Sequence, residues 1–460
     1  MSIADNVELE GFLKAYPDVQ MLEAMIPDMN GVLRCKRIHR REFDALFSGG
    51  VKSPKCLPLI TTKGGISDDL SLDSFAGDPD QLVRPVSGTL ADVPWLSSSI
   101  GQVLLTCATL DGEPSWVDPR NVLDGVLDLF RTLKLKPVVA TEMEFYLIAA
   151  GDGETPRPLL TKIPGTSLDQ LGTQYCVAED LWQFDEFLND VREACELQNV
   201  PLTVMQTEFS PGQWEINTHH VDDPLVACDH AMLLKRIVKG VAMKHGFSAC
   251  FMAKPFEEVA GSGLHIHASL YDEHGENVFS DPQSTETPAI SDTLRHAIGG
   301  LAETMADSMA VFAPNANSYR RFVPGTYAPV SPTWGYNHRD VALRIPVSGA
   351  KDCRVEHRVA GADANPYLVM AMVLGGIHHG ISNQCDPGPR VPELTELPKQ
   401  DPQLPQRWEA ALERFKSSEL VPRYLGKEYA DVFAKMRQSE CNSYHAAVPN
   451  IDYAWYLKSV

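Results

Sequence analysis

The chain has 460 residues, 44% of them hydrophobic, and a formal net charge of −21 at pH 7. Such a length and apolar content can bury a large core, with two domains expected, and the acidic balance argues against nucleic acid or an anionic membrane as the main partner. Ten cysteines stand singly, without a Cys-x-x-Cys pair, no apolar run approaches membrane-spanning length, and Met1–Glu10 is polar and acidic. These features predict a cytoplasmic protein without structural zinc.

Residues 1–114 mix short alternating strands with a turn-rich stretch, Lys52–Pro94, heavy in Gly, Pro and Asp. Asp118-Pro119 then opens a helix, with an Asp N-cap, Pro in the first turn and apolar Val122, Leu123, Val126, Phe130 and Leu133. A domain boundary near Pro114 follows, dividing the chain into 1–114 and 115–460. Val138–Leu147 alternates as a strand, so Glu142 and Glu144 share one face while Met143, Phe145 and Leu147 share the other. A helix is expected over Phe184–Gln198. Leu202–Gln206 and Trp214–Asn217 read as a hairpin around Pro211-Gly212, a turn that would bring Glu208 and Glu215 together across the ladder. Leu264–Leu270 repeats the strand pattern with His265 and His267 on one face, directly after Gly261-Ser262-Gly263. A helix over Thr293–Ala310 and a strand over Arg354–Val359 follow, the latter with Arg354, Glu356 and Arg358 on one face. Asp386–Pro405 is a proline-rich connector, and beyond it Trp408, Leu412 and Phe415 form one helical stripe.

Alone, an i, i+2 acidic pair on a strand is usually a solvated edge. Here Glu142, Glu144, Glu208, Glu215 and Glu356 join His265 in the same alternating pattern, and five carboxylates with one imidazole are the ligands of a two-metal site. Oxygen-dominated ligation selects Mg²⁺ or Mn²⁺ over zinc. A face this acidic needs cations, because each buried unpaired carboxylate costs several kcal/mol. Arg320, Arg321, Arg339, Arg344, Arg354 and Arg358 supply a cationic counterpart, with forks suited to phosphate and carboxylate oxygens. Arg320 is the one best explained by a surface ion pair. Lys63-Gly64-Gly65 lacks the P-loop pattern, His219-His220 and His378-His379 read as structural, and Arg34–Arg41 as an exposed face.

Met252-Ala253-Lys254-Pro255, Gly261-Ser262-Gly263-Leu264-His265-Ile266-His267, Asn317 to Gly325 and Asn365-Pro366-Tyr367 resemble the glutamine synthetase superfamily in order and spacing. The match runs from about Asp28-Met29-Asn30-Gly31 to the C-terminus. The resemblance implies an α+β fold, with a small N-terminal β-grasp domain and a catalytic domain whose curved antiparallel sheet is flanked by helices. It also implies a stacked-ring homo-oligomer, a dodecamer, with active sites between subunits and ATP and Mg²⁺ or Mn²⁺ as cofactors. By motif, Glu144, Glu208 and Glu215 resemble ligands of a metal facing glutamate, and Glu142, His265 and Glu356 ligands of a metal between ATP phosphates. His267, Ser269, Arg344 and Arg354 match nucleotide-side positions. Gly261, Arg321 and Arg358 match glutamate-side positions, and Arg339 one that supports phosphoryl transfer.

Two departures point to the substrate. The loop that closes the site reads Pro324-Gly325-Thr326-Tyr327-Ala328-Pro329, with a phenol where ammonia-using members carry an acid, and their Asp-Gly-Ser-Ser signature is absent from Pro58–Gly65. Without these charges a strongly hydrated NH₄⁺ has little to hold it. The loop is similar to that of the γ-glutamylpolyamine, or γ-glutamyl-amine, synthetase branch. The expected function is an ATP-dependent ligase joining the γ-carboxyl of L-glutamate to a primary amine through γ-glutamyl phosphate. The alternatives are an ammonia-using glutamine synthetase and a catalytically silent structural member. On this pattern, removing Glu144 or Glu356 abolishes turnover with the fold intact.

Overall fold

The computed structural model describes residues 2–66, 75–151, 155–283, 288–392 and 401–460. Residues 67–74 of the turn-rich stretch and 393–400 of the connector lie outside that description.

The N-terminal region begins with α1 (Asn6–Ala15), whose first turn is capped by the Asp5 carboxylate accepting from the Val7 and Glu8 N–H groups. Six strands follow: β1 (Met21–Pro27), β2 (Leu33–His39), β3 (Val51–Pro54), β4 (Asp80–Pro85), β5 (Ala91–Asp92) and β6 (Ile100–Ala108), with α2 (Phe43–Gly49) between β2 and β3. They form one sheet in the order β2-β1-β6-β4-β3, with β5 on β6 and β1 parallel to β6. Leu9, Phe12, Phe43, Leu46 and Phe47 of the two helices close a small core over one face. From the other face Met25 and Leu104 enter the main core, so all nine residues of β6 are buried.

α3 (Pro119–Thr132) starts where the sequence places it, with the Asp118 side chain accepting from the Arg120 N–H; Leu133 falls just past its end and is partly exposed. α4 (Ala178–Gln183), α5 (Asp185–Leu197), α6 (Pro224–Lys244), α7 (Asp292–Phe312) and α8 (Pro366–Asn383) follow, and the chain finishes with α9 (Trp408–Ser417), α10 (Leu420–Leu425), α11 (Lys427–Ala446) and α12 (Asn450–Tyr456). Arg120 is 3% exposed and bonds Asp229 through two nitrogens, both at 3.0 Å, which ties α3 to α6. α8 is apolar on all sides because it runs through the core. α7 crosses it at glycines: a Cβ on Gly300 would lie 2.3 Å from the Gly376 carbonyl oxygen and the Gly380 nitrogen.

The second sheet contains β7 (Lys136–Ile148), β8 (Leu202–Thr207), β9 (Gln213–Thr218), β10 (Ser248–Cys250), β11 (Leu264–Tyr271), β12 (Trp334–Tyr336), β13 (Leu343–Ile345) and β14 (Val355–His357). Its order is β12-β13-β14-β11-β7-β9-β8, with β10 on β7. Met143, Phe145, Leu147, Ile266 and Ala268 face the helices, leaving the polar members of each strand on the opposite side. Two expectations are corrected. The sheet is mixed rather than antiparallel, because edge strand β12 runs parallel to β13. The strand expected over Arg354–Val359 shortens to three residues, since its neighbour β13 offers only Leu343 and Arg344 for pairing.

Candidate active site

Register brings the polar residues into one row across the sheet. β11 pairs with β7 so that His265 opposes Glu142, and β9 pairs with β7 so that Glu215 opposes Glu144. On the other side His267 opposes Glu356, which in turn opposes Arg344. Because side chains alternate with period two, these pairings put every one of these groups on the same face.

The contacts follow from that row. Glu142 takes His267 Nε2 at 2.8 Å and His265 Nδ1 at 3.3 Å on its two oxygens. Burial pushes its pKa upward, yet the two imidazole hydrogen bonds hold it well below the usual carboxylate range. His265 reaches the other acids as well, with Nε2 3.8 Å from Glu144 Oε1 and Nδ1 3.8 Å from Glu356 Oε1. Ligand atoms of Glu142, His265 and Glu356 all lie within 4.8 Å of one another, as do those of Glu144, Glu215 and His265.

Glu356 is fully buried and accepts from Arg344 Nη1 at 2.6 Å and from Arg358 Nη1. Burial raises its pKa, but Arg358 and the two histidines bring it down to about 2. At the other end of the row the acids crowd one another. Burial first and then Glu142, Glu144 and Glu208 push Glu215 up to about 9, and burial with Glu144 pushes Glu208 up to about 7. A carboxylate cluster that holds protons at neutral pH is short of positive charge, and all-oxygen-plus-imidazole donors fit a hard divalent cation.

The Gly261-Ser262-Gly263 segment sits against this cluster. The Gly263 N–H donates to Glu144 Oε2 at 2.7 Å, and a Cβ there would lie 2.7 Å from Arg321 Nη2 and 2.9 Å from His265 Nε2. Gly261 is equally confined, with the Ala253 carbonyl oxygen 2.5 Å from where a Cβ would be. Arg321 is buried and spends its guanidinium on the carbonyls of Val359 and Arg358, at 2.8 and 3.2 Å. Arg354 Nε donates to His267 Nδ1 at 3.2 Å, which places the proton of that imidazole on Nε2, toward Glu142. Ser269 turns its hydroxyl to the Cys353 carbonyl at 3.0 Å. Arg339 is exposed, and its carbonyl accepts from Arg358 Nε at 3.2 Å. Tyr327 is 51% exposed and held at φ 56°, a left-handed conformation uncommon for a bulky residue.

The hairpin differs from expectation in one respect. β8 and β9 pair Gln206 with Glu215, so Glu208 opposes Gln213 and meets Glu215 only diagonally. Gln206 Nε2 donates to Glu215 at 3.0 Å, and Gln213 Nε2 bridges the Gly261 carbonyl at 3.0 Å and Glu144 at 3.4 Å. Both glutamines lie two residues before a predicted ligand, a spacing that could have revealed them. Tyr175, whose phenol is pushed up by burial, with Arg339 opposing and Glu208 and Glu215 adding to the shift, lies in an aperiodic loop that gives no such signal.

Residues 116–456 match the family model for the glutamine synthetase catalytic domain. The chain belongs to this family, and it is an enzyme of the ligase class. It is 39% identical to the γ-glutamylputrescine synthetase PuuA of Escherichia coli (strain K12), covering 98% of this chain and 94% of that protein. It is also 33% identical to the glutamate–isopropylamine ligase of a Pseudomonas species, over 94% of this chain and 93% of that one. Among solved structures, "GmaS/ADP complex-Conformation 1" superposes with a TM-score of 0.81 at 25% identity, covering 97% of this chain and 98% of that chain. The glutamine synthetase family generally uses ATP and a divalent metal.

Proposed function

We propose that this protein is an ATP-dependent ligase that joins the γ-carboxyl of L-glutamate to a primary amine, either a polyamine or a monoamine, through γ-glutamyl phosphate. The observation that carries this is Tyr327, an exposed phenol in the loop where ammonia-using relatives resemble one another in carrying an acid. Similarity to ligases named for putrescine and isopropylamine supports it.

Glu142, His265 and Glu356 would hold one Mg²⁺ or Mn²⁺, and Glu144, Glu208 and Glu215 a second. When bound, such ions neutralise phosphate charge. His267, Arg344 and Arg354 line the nucleotide side, and Arg339 offers an exposed guanidinium to the γ-phosphoryl as charge spreads over its oxygens. Gly261, Arg321 and Arg358 shape the glutamate side: Gly261 by leaving room, Arg321 by fixing the backbone of Arg358. The amine, in its neutral form, attacks the activated γ-carbonyl; the C–O bond to phosphate breaks and the nitrogen gives up a proton as the amide forms, with Tyr327 covering the amine. Catalysis is mostly positioning and electrostatics.

Catalysis is placed in a stacked-ring dodecamer with active sites between subunits. In support, the C-terminal α12 buries nothing and exposes Ile451, Tyr453, Trp455 and Tyr456, an apolar surface that a neighbouring subunit would cover. Ten unpaired cysteines suit a cytoplasmic setting. Among the described residues no helix is long and apolar enough to cross a membrane.

The test is phosphate release with ATP, Mg²⁺ and glutamate across a panel of amines that includes ammonia. An alkylamine or polyamine is expected to exceed ammonia in kcat/KM. Equal or better use of ammonia would replace this proposal with glutamine synthetase.

A further inference from the structure

Beyond the Gly300–Gly380 crossing, Glu303 of α7 meets two side chains from the end of α8, His379 and Cys385, all three outside the active site. His379 is 9% exposed, and its Nε2 is buried without a hydrogen-bond partner, 3.4 Å from Glu303 Oε1. Cys385, just past the end of α8, directs Sγ at Glu303 Oε2, 3.2 Å away. One ligand atom from each of the three lies within 4.8 Å of the other two.

We propose that Glu303, His379 and Cys385 form a separate site for a borderline divalent metal ion, zinc above all, with water as the fourth ligand. The spacing fits: tetrahedral bonds of about 2.0–2.3 Å give edges of roughly 3.3–3.8 Å between donor atoms. The donors fit as well, since thiolate with imidazole selects zinc and rejects Mg²⁺. Access is open, because the Glu303 side chain is 58% exposed.

Protons balance without a redox partner. The Cys385 thiol, pushed up to about 11 by burial and by the Glu303 carboxylate, is protonated when no metal is present; binding releases that proton to solvent as the S–metal bond forms. His379 Nδ1 lies 3.2 Å from the Asn383 side-chain amide. The Asn383 Nδ2 also donates to the His379 carbonyl at 2.8 Å and keeps that bond; metal binding places the imidazole proton on Nδ1, at the loss of the 3.2 Å contact, and leaves the Nε2 lone pair for the metal. The other cluster of this composition among the described residues, Glu409, Cys441 and His445, contrasts with it: His445 Nε2 is already paired directly with Glu409. A metal at Cys385 would also pin the start of the connector, whose Gly388 carbonyl and Val391 N–H bond Trp334 of β12.

The experiment uses the full-length enzyme, stripped with EDTA and returned to excess Mg²⁺ so that the acid-rich catalytic site is filled. Co²⁺ is then titrated while the thiolate-to-cobalt charge-transfer band is followed in the near ultraviolet, a signal that sites built only from Glu and His cannot give. One equivalent of Co²⁺ per chain should produce the band, and one equivalent of Zn²⁺ should abolish it. Cys385→Ser should lose the band, the exposed Glu303→Gln should weaken binding at least tenfold, and Cys441→Ser should keep it, with circular dichroism verifying each fold. Absence of the band in folded wild type, its survival in Cys385→Ser, or its loss in Cys441→Ser overturns the proposal.

Discussion

The alternating pattern treats Glu144 and Glu356 as equivalent ligands, but their surroundings separate them. Glu356 is fully buried and answers two guanidiniums, one of them the buried Arg358. Glu356→Gln removes the counter-charge and turns an amide N–H₂ toward an arginine, and breaking a buried pair in this way costs about 3–5 kcal/mol. Glu144→Gln keeps an oxygen to accept from the Gly263 N–H. It also removes one of the charges that push Glu208 up to about 7 and Glu215 up to about 9. In EDTA that variant should be as stable as wild type or more so. Urea unfolding followed by tryptophan fluorescence reads the difference, and a coupled phosphate-release assay should show both variants losing roughly 100-fold or more in kcat. The sequence pattern leads one to expect the fold to survive loss of either acid; the buried pairing of Glu356 predicts instead that only the Glu144 variant keeps full stability. A Glu356→Gln protein within 1 kcal/mol of wild type in EDTA, or equal losses of stability in the two variants, would refute the reasoning.

Tyr327→Glu restores an acid at the loop and should shift kcat/KM toward ammonia by roughly tenfold, the value of about 1.4 kcal/mol, with competition between ammonia and an alkylamine as the assay. Gly263→Ala should weaken Mn²⁺ binding at least tenfold by titration calorimetry, because its Cβ would meet Arg321 and His265 at 2.7 and 2.9 Å. Lys235 is buried in α6 with its Nζ 3.2 Å from the Ala364 carbonyl oxygen, and burial lowers its pKa to about 7 from an ordinary 10.5. Between those values the unfolded chain binds the extra proton, so stability rises with pH across that window. Lys235→Met should therefore gain most below pH 7, and its advantage in urea unfolding should shrink by about 2–3 kcal/mol between pH 7 and pH 9; a constant advantage would contradict the buried, neutral lysine.

The elements legible in the sequence are those whose signals are local. β7 and β11 were readable because their polar and apolar residues alternate through a whole strand, and α3 because Asp118 and Pro119 begin it chemically. α1 and α2 went unread, since they bury only two and three residues respectively and have no long apolar stripe. The parallel placement of β12 depends on a partner chosen in three dimensions, which periodicity does not encode. The hairpin offset arises from the five-residue loop, 208–212, which pairs Thr207 with Trp214 and so sets Glu215 against Gln206. Glu303, His379 and Cys385 escaped for a related reason: a helix crossing, not a spacing, brings them together.

The row that runs from Gln206 to Arg344 has a consequence for synthesis of the chain. Its acids at 142, 144, 208 and 215 leave the ribosome well before Arg344, Glu356 and Arg358, more than 200 residues after the first of them. Until β13 and β14 dock, the nascent sheet lacks Arg344 and Arg358, two of the guanidiniums that answer its crowded carboxylates. The last strands to be made thus complete both the charge balance and the sheet edge, so a chain truncated before residue 343 would have neither.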